Sequence, residues 1–227
     1  MATTPPQPDE TPRLCLTAGD PDLQTLIVGK VTLVLGGEPV PVELTVPSGP
    51  VSEQDLLPVL QGLSSHLAER GAARAEGQGR TISCRAGCGA CCRQLVPVAI
   101  SEARALVELI EAMPEPRRSE VRDRFDDAVA SLDAAGILDR LNRMDEPAET
   151  LALDYFRAGV PCPFLEAEAC SIHPHRPLIC REYLVTSPAE NCSDPSGDTI
   201  ERISIDGRPS RALFQGDAPR TWTPLVL

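Results

Sequence analysis

The stretch CRAGCGACC, residues 84–92, places cysteines at 84, 88, 91 and 92, and VPCPFLEAEACSIHPHRPLICREYLVTSPAENCS, residues 160–193, places four more at 162, 170, 180 and 192. These two packets hold eight of the nine cysteines in the chain. Short gaps between thiols let one turn of backbone present several sulfurs to one ion or cluster at small entropic cost, and thiolates suit soft or borderline metals. Within the first packet the gaps read C-x3-C-x2-C-C, with Gly89 and Ala90 between Cys88 and Cys91 allowing a tight turn. Cys91 and Cys92 are adjacent, and neighbouring side chains tend to point apart, so the pair suggests a second metal or another face of a cluster. In the second packet prolines flank Cys162, and Pro177 precedes Cys180 by three residues. Fixed proline torsions hold a ligand in place. Eight thiolates in one region repel one another, and Arg80, Arg85, Arg93, Arg176 and Arg181 lie near enough in sequence to offset them.

Outward from the packets the chain reads as mainly helical. Between them, Leu106, Leu109, Ile110 and Met113 form one helical stripe, Val121, Phe125, Ala128, Val129 and Leu132 a second, and Ile137, Leu138, Leu141 and Met144 a third. Pro114, Pro116, Gly136 and Pro147 separate them, and a last helix over residues 148–158 ends at Gly159. Packing these stripes brings the packets together. Upstream, LIVGKVTLVLGGEPVPVELTV, residues 26–46, predicts a hairpin about Gly36-Gly37. Pro39 and Pro41 cannot donate to a ladder, so the second strand is expected to be an edge at that end. Ser52 and Asp55 resemble a capping box ahead of a helix over residues 53–70, with Leu56, Leu60, Leu63 and Leu67 on one face, Pro58 near its start and Gly71 closing it. The segment from Gly71 to Thr81 is then a flexible approach to Cys84, and DTIERISIDGRPSRALF, residues 198–214, suggests two short strands about Asp206-Gly207. The expected fold is mainly α with a minor N-terminal β-hairpin, an α+β arrangement in which irregular cysteine-rich loops pack on a small helical bundle. The expected division is a disordered start (1–13), a hairpin with a helix (14–79), a cysteine-cluster region with a helical insert (80–195) and a C-terminal extension (196–227).

Composition narrows the function. A formal charge of −12 argues against nucleic acid and anionic membranes, since phosphate binding is driven by Lys and Arg. One Trp and two Tyr make no base-stacking platform. No run approaches the roughly 20 apolar residues of a membrane span, and MATTPPQPDETPR has neither the basic nor the apolar region of a secretory signal. The chain is therefore expected in the cytoplasm, where thiols stay reduced and metal binding is the better use of eight cysteines than four disulfides. Cys15 stands alone and is expected as a free thiol. His173 and His175 lie between two candidate ligands, but eight cysteines suffice for two four-ligand sites, so both read as hydrogen-bonding loop residues; His66 reads as a surface residue. Arg176 and Arg181 are expected to satisfy backbone carbonyls or acidic neighbours such as Glu182, and Tyr183 to pack. No Ser-His-Asp order, P-loop or GxGxxG occurs, and without βα alternation the short likeness of the first packet to a radical-SAM triad carries nothing.

CRAGCGACCR, CPFLEAEACSIHPHRPLICR and the trailing NCS, over roughly residues 80–195, resemble the YkgJ-type cysteine-cluster proteins, written CxxCxxCC, which are described as zinc- or iron-chelating. The first gap here is three residues where the family's name has two. The resemblance implies metal chelation by Cys84, Cys88, Cys91, Cys92, Cys162, Cys170 and Cys180, with Cys192 as the eighth candidate. Some relatives of the domain are associated with flagellin lysine N-methylation, which makes a protein-modifying enzyme the alternative to a structural or electron-carrying metal site. Zinc would use the thiolates as two closed tetrahedra; the dense, proline-braced and uneven packets favour an iron-sulfur cluster, with zinc the alternative.

Overall fold

The computed structural model describes residues 13–15, 26–35, 37–143, 147–193, 199–214 and 222–227. The fold is α+β and mainly helical, with its small β-element at the N-terminal end. The N-terminal segment expected to be disordered lies outside the described residues up to residue 12, while Arg13 opens strand β1 (Arg13–Cys15). The Cys15 side chain also lies outside them.

Strands β2 (Leu26–Leu35) and β3 (Glu38–Pro47) form the expected hairpin, Leu35 opposite Glu38, with Gly37 in the left-handed region at φ +87°. β1 adds to β3 in parallel, but only at Glu43, Leu44 and Thr45. Among the described residues the Pro39 and Pro41 end of β3 therefore has β2 alone as partner, as a strand with missing N–H groups requires. Alternate residues Val40 and Val42 are buried against Leu67, with Leu33, Leu44, Val59 and Leu63 packed around them. Val59, Leu63 and Leu67 belong to the first long helix, so the sheet sits on that helix.

That helix, α1 (Leu57–Gly77), starts later and ends later than its sequence signals suggest. Ser52 and Asp55 do form reciprocal bonds, the Ser52 N–H donating to Asp55 at 2.8 Å and the Asp55 N–H to Ser52 Oγ at 3.2 Å, but what begins there is a 3-10 turn over Gln54–Leu56. Pro58 then sits in the first turn of α1, where its missing N–H costs nothing. Gly71 does not close the helix. A Cβ there would lie 2.8 Å from Ile205 Cγ2 and 2.9 Å from the Ser204 carbonyl, so Gly71 is the point where another segment crosses α1 closely.

The three inter-packet stripes become α2 (Ile100–Glu111), α3 (Arg117–Ala134) and α4 (Leu138–Arg143), and α5 (Ala148–Ala158) ends at Gly159, whose φ is +67°. Met144, expected on the third stripe, lies outside the described residues. Two apolar clusters result. Ala128, Leu132, Ile137, Leu141, Leu151, Tyr155 and Val226 fill one. Leu106, Ile110 and Val121 join Val98, Phe164, Ile172 and Leu225 in the other, with Cys162 and Cys170 packed against it. Helix α2 and the first half of α3 thus bury their stripes on the second packet.

The C-terminal region departs from expectation. In place of two strands there is an isolated bridge between Val185 and Arg202, followed by helix α7 (Pro209–Phe214). Pro209 is pre-set for a first helical turn, and the buried Glu182 carboxylate accepts the Ser210 N–H at 2.9 Å, which satisfies one of the free donors at the helix start. The chain ends in β7 (Trp222–Pro224), antiparallel to β4 (Pro97–Ala99). No helix among the described residues is long and apolar enough to cross a membrane.

Candidate metal centre

The first packet is a run of tight turns. The N–H of Cys88 donates to the Arg85 carbonyl at 3.1 Å, that of Cys92 to Gly89 at 2.9 Å and that of Gln94 to Cys91 at 3.1 Å. Gly87 takes φ +81° to permit this. Gly89 permits close approach: a Cβ would fall 2.6 Å from Leu165 Cδ1 and 2.9 Å from the Glu168 carbonyl. The packets are joined by backbone as well, the Cys162 N–H donating to the Cys92 carbonyl at 2.8 Å. Outside this seam Arg93 grips Glu168 through two bonds of 3.1 and 2.7 Å.

In the second packet Cys162 precedes a small hairpin, β5 (Leu165–Glu166) and β6 (Ala169–Cys170), which ends on Cys170. Its turn residues Ala167 and Glu168 lie in the left-handed region, at φ 46° and 59°. Arg117 and Arg124 of α3 both pair with Glu166, which ties this hairpin to the helical layer. After a 3-10 turn over His173–His175, the one-turn helix α6 (Leu178–Arg181) carries Cys180, and a 3-10 turn over Ala189–Ser193 carries Cys192.

A helix of four residues has no cooperative stability of its own. Buried side chains of other elements hold α6 instead. Glu102 accepts the N–H of Leu178 at 2.8 Å and of Ala99 at 3.0 Å. Glu182 accepts from Ser64 Oγ at 3.3 Å, from the Ser210 N–H and from Ser210 Oγ at 2.6 Å. Arg181 donates to the carbonyls of Arg176 and Pro174 and to Ser65 Oγ. Burial, as the main cause, pushes Glu102 above the usual carboxylate range and Arg181 below the usual guanidinium range. These anchors come from α1, α2 and α7, far from Cys180 in sequence.

All eight packet cysteines line one cavity of about 260 Å³, together with Arg85, His173, Arg176, Tyr183 and an apolar wall that includes Val96, Phe164, Ile172 and Leu225. Among the described residues no three of His, Cys, Asp and Glu stand at the spacing of a single-ion site; the thiols surround a space. Backbone N–H groups already point at sulfur: Val185 donates to Cys84 Sγ at 3.4 Å, and Phe164 and Ile172 bond Cys162 and Cys170. Such bonds favour thiolate over thiol and are the surroundings typical of metal-bound sulfur. Burial outweighs them, pushing Cys84, Cys170, Cys180 and Cys192 above the ordinary thiol range and Cys162 up to about 11. Cys91 is raised chiefly by its hydrogen bond with Cys92. Eight soft donors, with N–H groups directed at sulfur, fit a thiolate-held metal in donor chemistry.

The other residues singled out in the sequence separate into two groups. Arg176, His173 and Tyr183 line the cavity; Arg80 pairs with Gln78, while Arg93 and Arg181 are bound as above. Tyr183 does more than pack, since its ring lies 5.1 Å beneath Arg202 and its hydroxyl bonds Cys192. His175 is exposed away from the thiols, and His66 is half-buried in α1 with an unpaired Nε2, not a surface residue. Glu102, Ser64 and Ser210 escaped sequence reasoning. The only trace was polar side chains at inward positions of helical stripes. Neither the curated proteins nor the solved structures contain a match to the chain. The sequence model of the CxxCxxCC family, described as "Putative zinc- or iron-chelating domain", matches residues 83–197, which is just over half of the chain and holds all eight thiols of the cavity, so the protein belongs to that family.

Proposed function

We propose that this is a cytoplasmic metal protein in which Cys84, Cys88, Cys91, Cys92, Cys162, Cys170, Cys180 and Cys192 hold an iron-sulfur centre that braces the fold or carries electrons. One observation supports the reading above the others: both packets, seventy residues apart, contribute every cysteine to a single cavity. That cavity, about 260 Å³ and lined by apolar residues as well as thiols, has room for a polynuclear centre or paired metals. When bound, such a centre would supply one-electron redox chemistry or, as zinc, a closed structural crosslink. The chain's own part is to hold the thiolates. Gly89 and the Cys162-to-Cys92 bond set one packet on the other, and Glu102, Glu182 and Arg181 fix Cys180. A side-chain-modifying enzyme asks for Arg176, Arg181 and Tyr183 around an open site; Arg181 is instead committed to two carbonyls and Ser65, which favours the non-enzymatic reading.

Anaerobic purification followed by metal and acid-labile sulfide analysis tests the proposal. Iron with sulfide and a broad visible charge-transfer band is the expected result. Stoichiometric zinc in a colourless protein would replace the cluster with the structural alternative, and a metal-free protein would end both.

A further inference from the structure

Arg176 and Arg85 both line the cavity with no side-chain hydrogen bond or ion pair among the described residues, but Arg85 is exposed and Arg176 is half-buried. Its side chain is half-buried on the cavity wall, and its Nε is enclosed without a hydrogen-bond partner. Arg93 has Glu168, and Arg181 has two carbonyls and a hydroxyl. The Arg176 backbone is nonetheless well fixed: its carbonyl accepts Arg181 Nε at 3.0 Å, and Pro177 follows it. Proline restricts the preceding residue to extended torsions, and Arg176 has them, at φ −59° and ψ 146°. The side chain thus leaves a fixed backbone to line the cavity that all eight packet thiols line, and no ion pair joins it to an acidic side chain among the described residues. The same cavity is lined by Cys84, Cys91, Cys170 and Cys180, which come from both packets.

We propose that Arg176 is the charge-compensating residue of the metal cavity: its guanidinium stabilises the thiolate set shared by the two packets and so raises the affinity for metal. The inference rests on the metal-centre reading above. Metal binding gathers several negatively charged thiolates in one cavity, and a fixed cation on its wall lowers the cost of that charge. An unpaired guanidinium buried for that purpose contributes little to the metal-free fold, and this separates a positioning role from a structural one.

The test uses reduced, metal-free full-length protein titrated with Zn(II) against a chromophoric chelator, alongside the metal retained per chain after purification. Arg176→Gln is expected to bind Zn(II) about 10- to 100-fold more weakly, the range for residues that support ligands. Arg176→Lys should recover most of that loss, because it restores the charge, and the metal-free melting temperature of Arg176→Gln should match that of the parent. Equal Zn(II) affinity in parent and Arg176→Gln would overturn the inference while leaving the metal centre standing. So would a weakened Arg176→Gln whose metal-free form melts lower and which Lys fails to rescue. A parent protein that takes up neither Zn(II) nor iron with sulfide would instead overturn the metal reading itself.

Discussion

Alanine at Gly71 and alanine at Gly77 should move stability in opposite directions, although both residues lie on α1. Glycine in a helix interior costs about 1 kcal/mol relative to alanine, so each substitution starts with a gain of up to that size. At Gly77 a Cβ meets nothing within 4 Å, and the gain should survive, reduced somewhat because Gly77 is the last residue of the helix. At Gly71 the Cβ would stand 2.8 Å from Ile205 Cγ2, 2.9 Å from the Ser204 carbonyl and 3.2 Å from Ile203 Cδ1. A methyl group can rotate away, but a backbone carbonyl cannot. Overpacking of this kind costs about 1–3 kcal/mol, which leaves a net loss of about 1 kcal/mol after the helical gain. For a chain of this size that corresponds to a melting temperature lower by about 2–4 °C, against a small rise for Gly77→Ala. Urea unfolding of the two variants and the double variant, at constant metal loading and with unchanged m-values, reads the difference. The sites are roughly 9 Å apart along the helix, so their effects should add. If Gly71→Ala proved as stabilising as Gly77→Ala, the close crossing of residues 203–205 over α1 would be wrong.

Removing one thiol, by Cys88→Ser or Cys180→Ser, should lower metal content and melting temperature together, since metal binding is coupled to folding; a variant with full metal and parental stability would refute that ligand. Glu182→Gln takes the charge from an acceptor with three donors and should cost about 1–3 kcal/mol in chemical denaturation. Asp206 binds Arg74 through two bonds of 2.8 and 2.6 Å, and this partner holds its carboxyl below the usual aspartate range. The folded state then carries fewer protons than the unfolded one, so the contribution is present above the ordinary aspartate pKa and lost as pH falls through the folded value. Asp206→Asn should flatten this acid limb of the stability curve and leave its neutral side less stable; an unchanged acid limb would refute the linkage.

Much of the helical layer was legible because its signals are local. Leu106 and Ile110, or Val121, Ala128 and Leu132, repeat at helical spacing, and Gly136 and Gly159 mark stops where the backbone does turn left-handed. Gly36-Gly37 set between alternating valines and leucines likewise announced the hairpin. The β5–β6 hairpin was not legible, since its left-handed turn falls on Ala167 and Glu168, which carry no turn signature. Gly71 misled for the related reason that a glycine serves either a backbone torsion or a close contact, and only the neighbour tells which.

For the metal centre the division is similar. Cysteine spacing and proline bracing marked these eight thiols as candidate ligands in the one-dimensional chain, and the fold sets all eight around one cavity. Tertiary structure sorted the charges around that cavity. Five arginines sit near the packets in sequence; hydrogen bonding commits Arg80, Arg93 and Arg181 elsewhere, Arg85 is exposed at the cavity, and Arg176 is half-buried on its wall. It also decided what holds Cys180, through Glu102, Ser64 and Ser210 from three separate helices. The physical reason is that ligand spacing is a property of neighbouring residues, whereas desolvation and charge compensation depend on groups brought together only when the core closes.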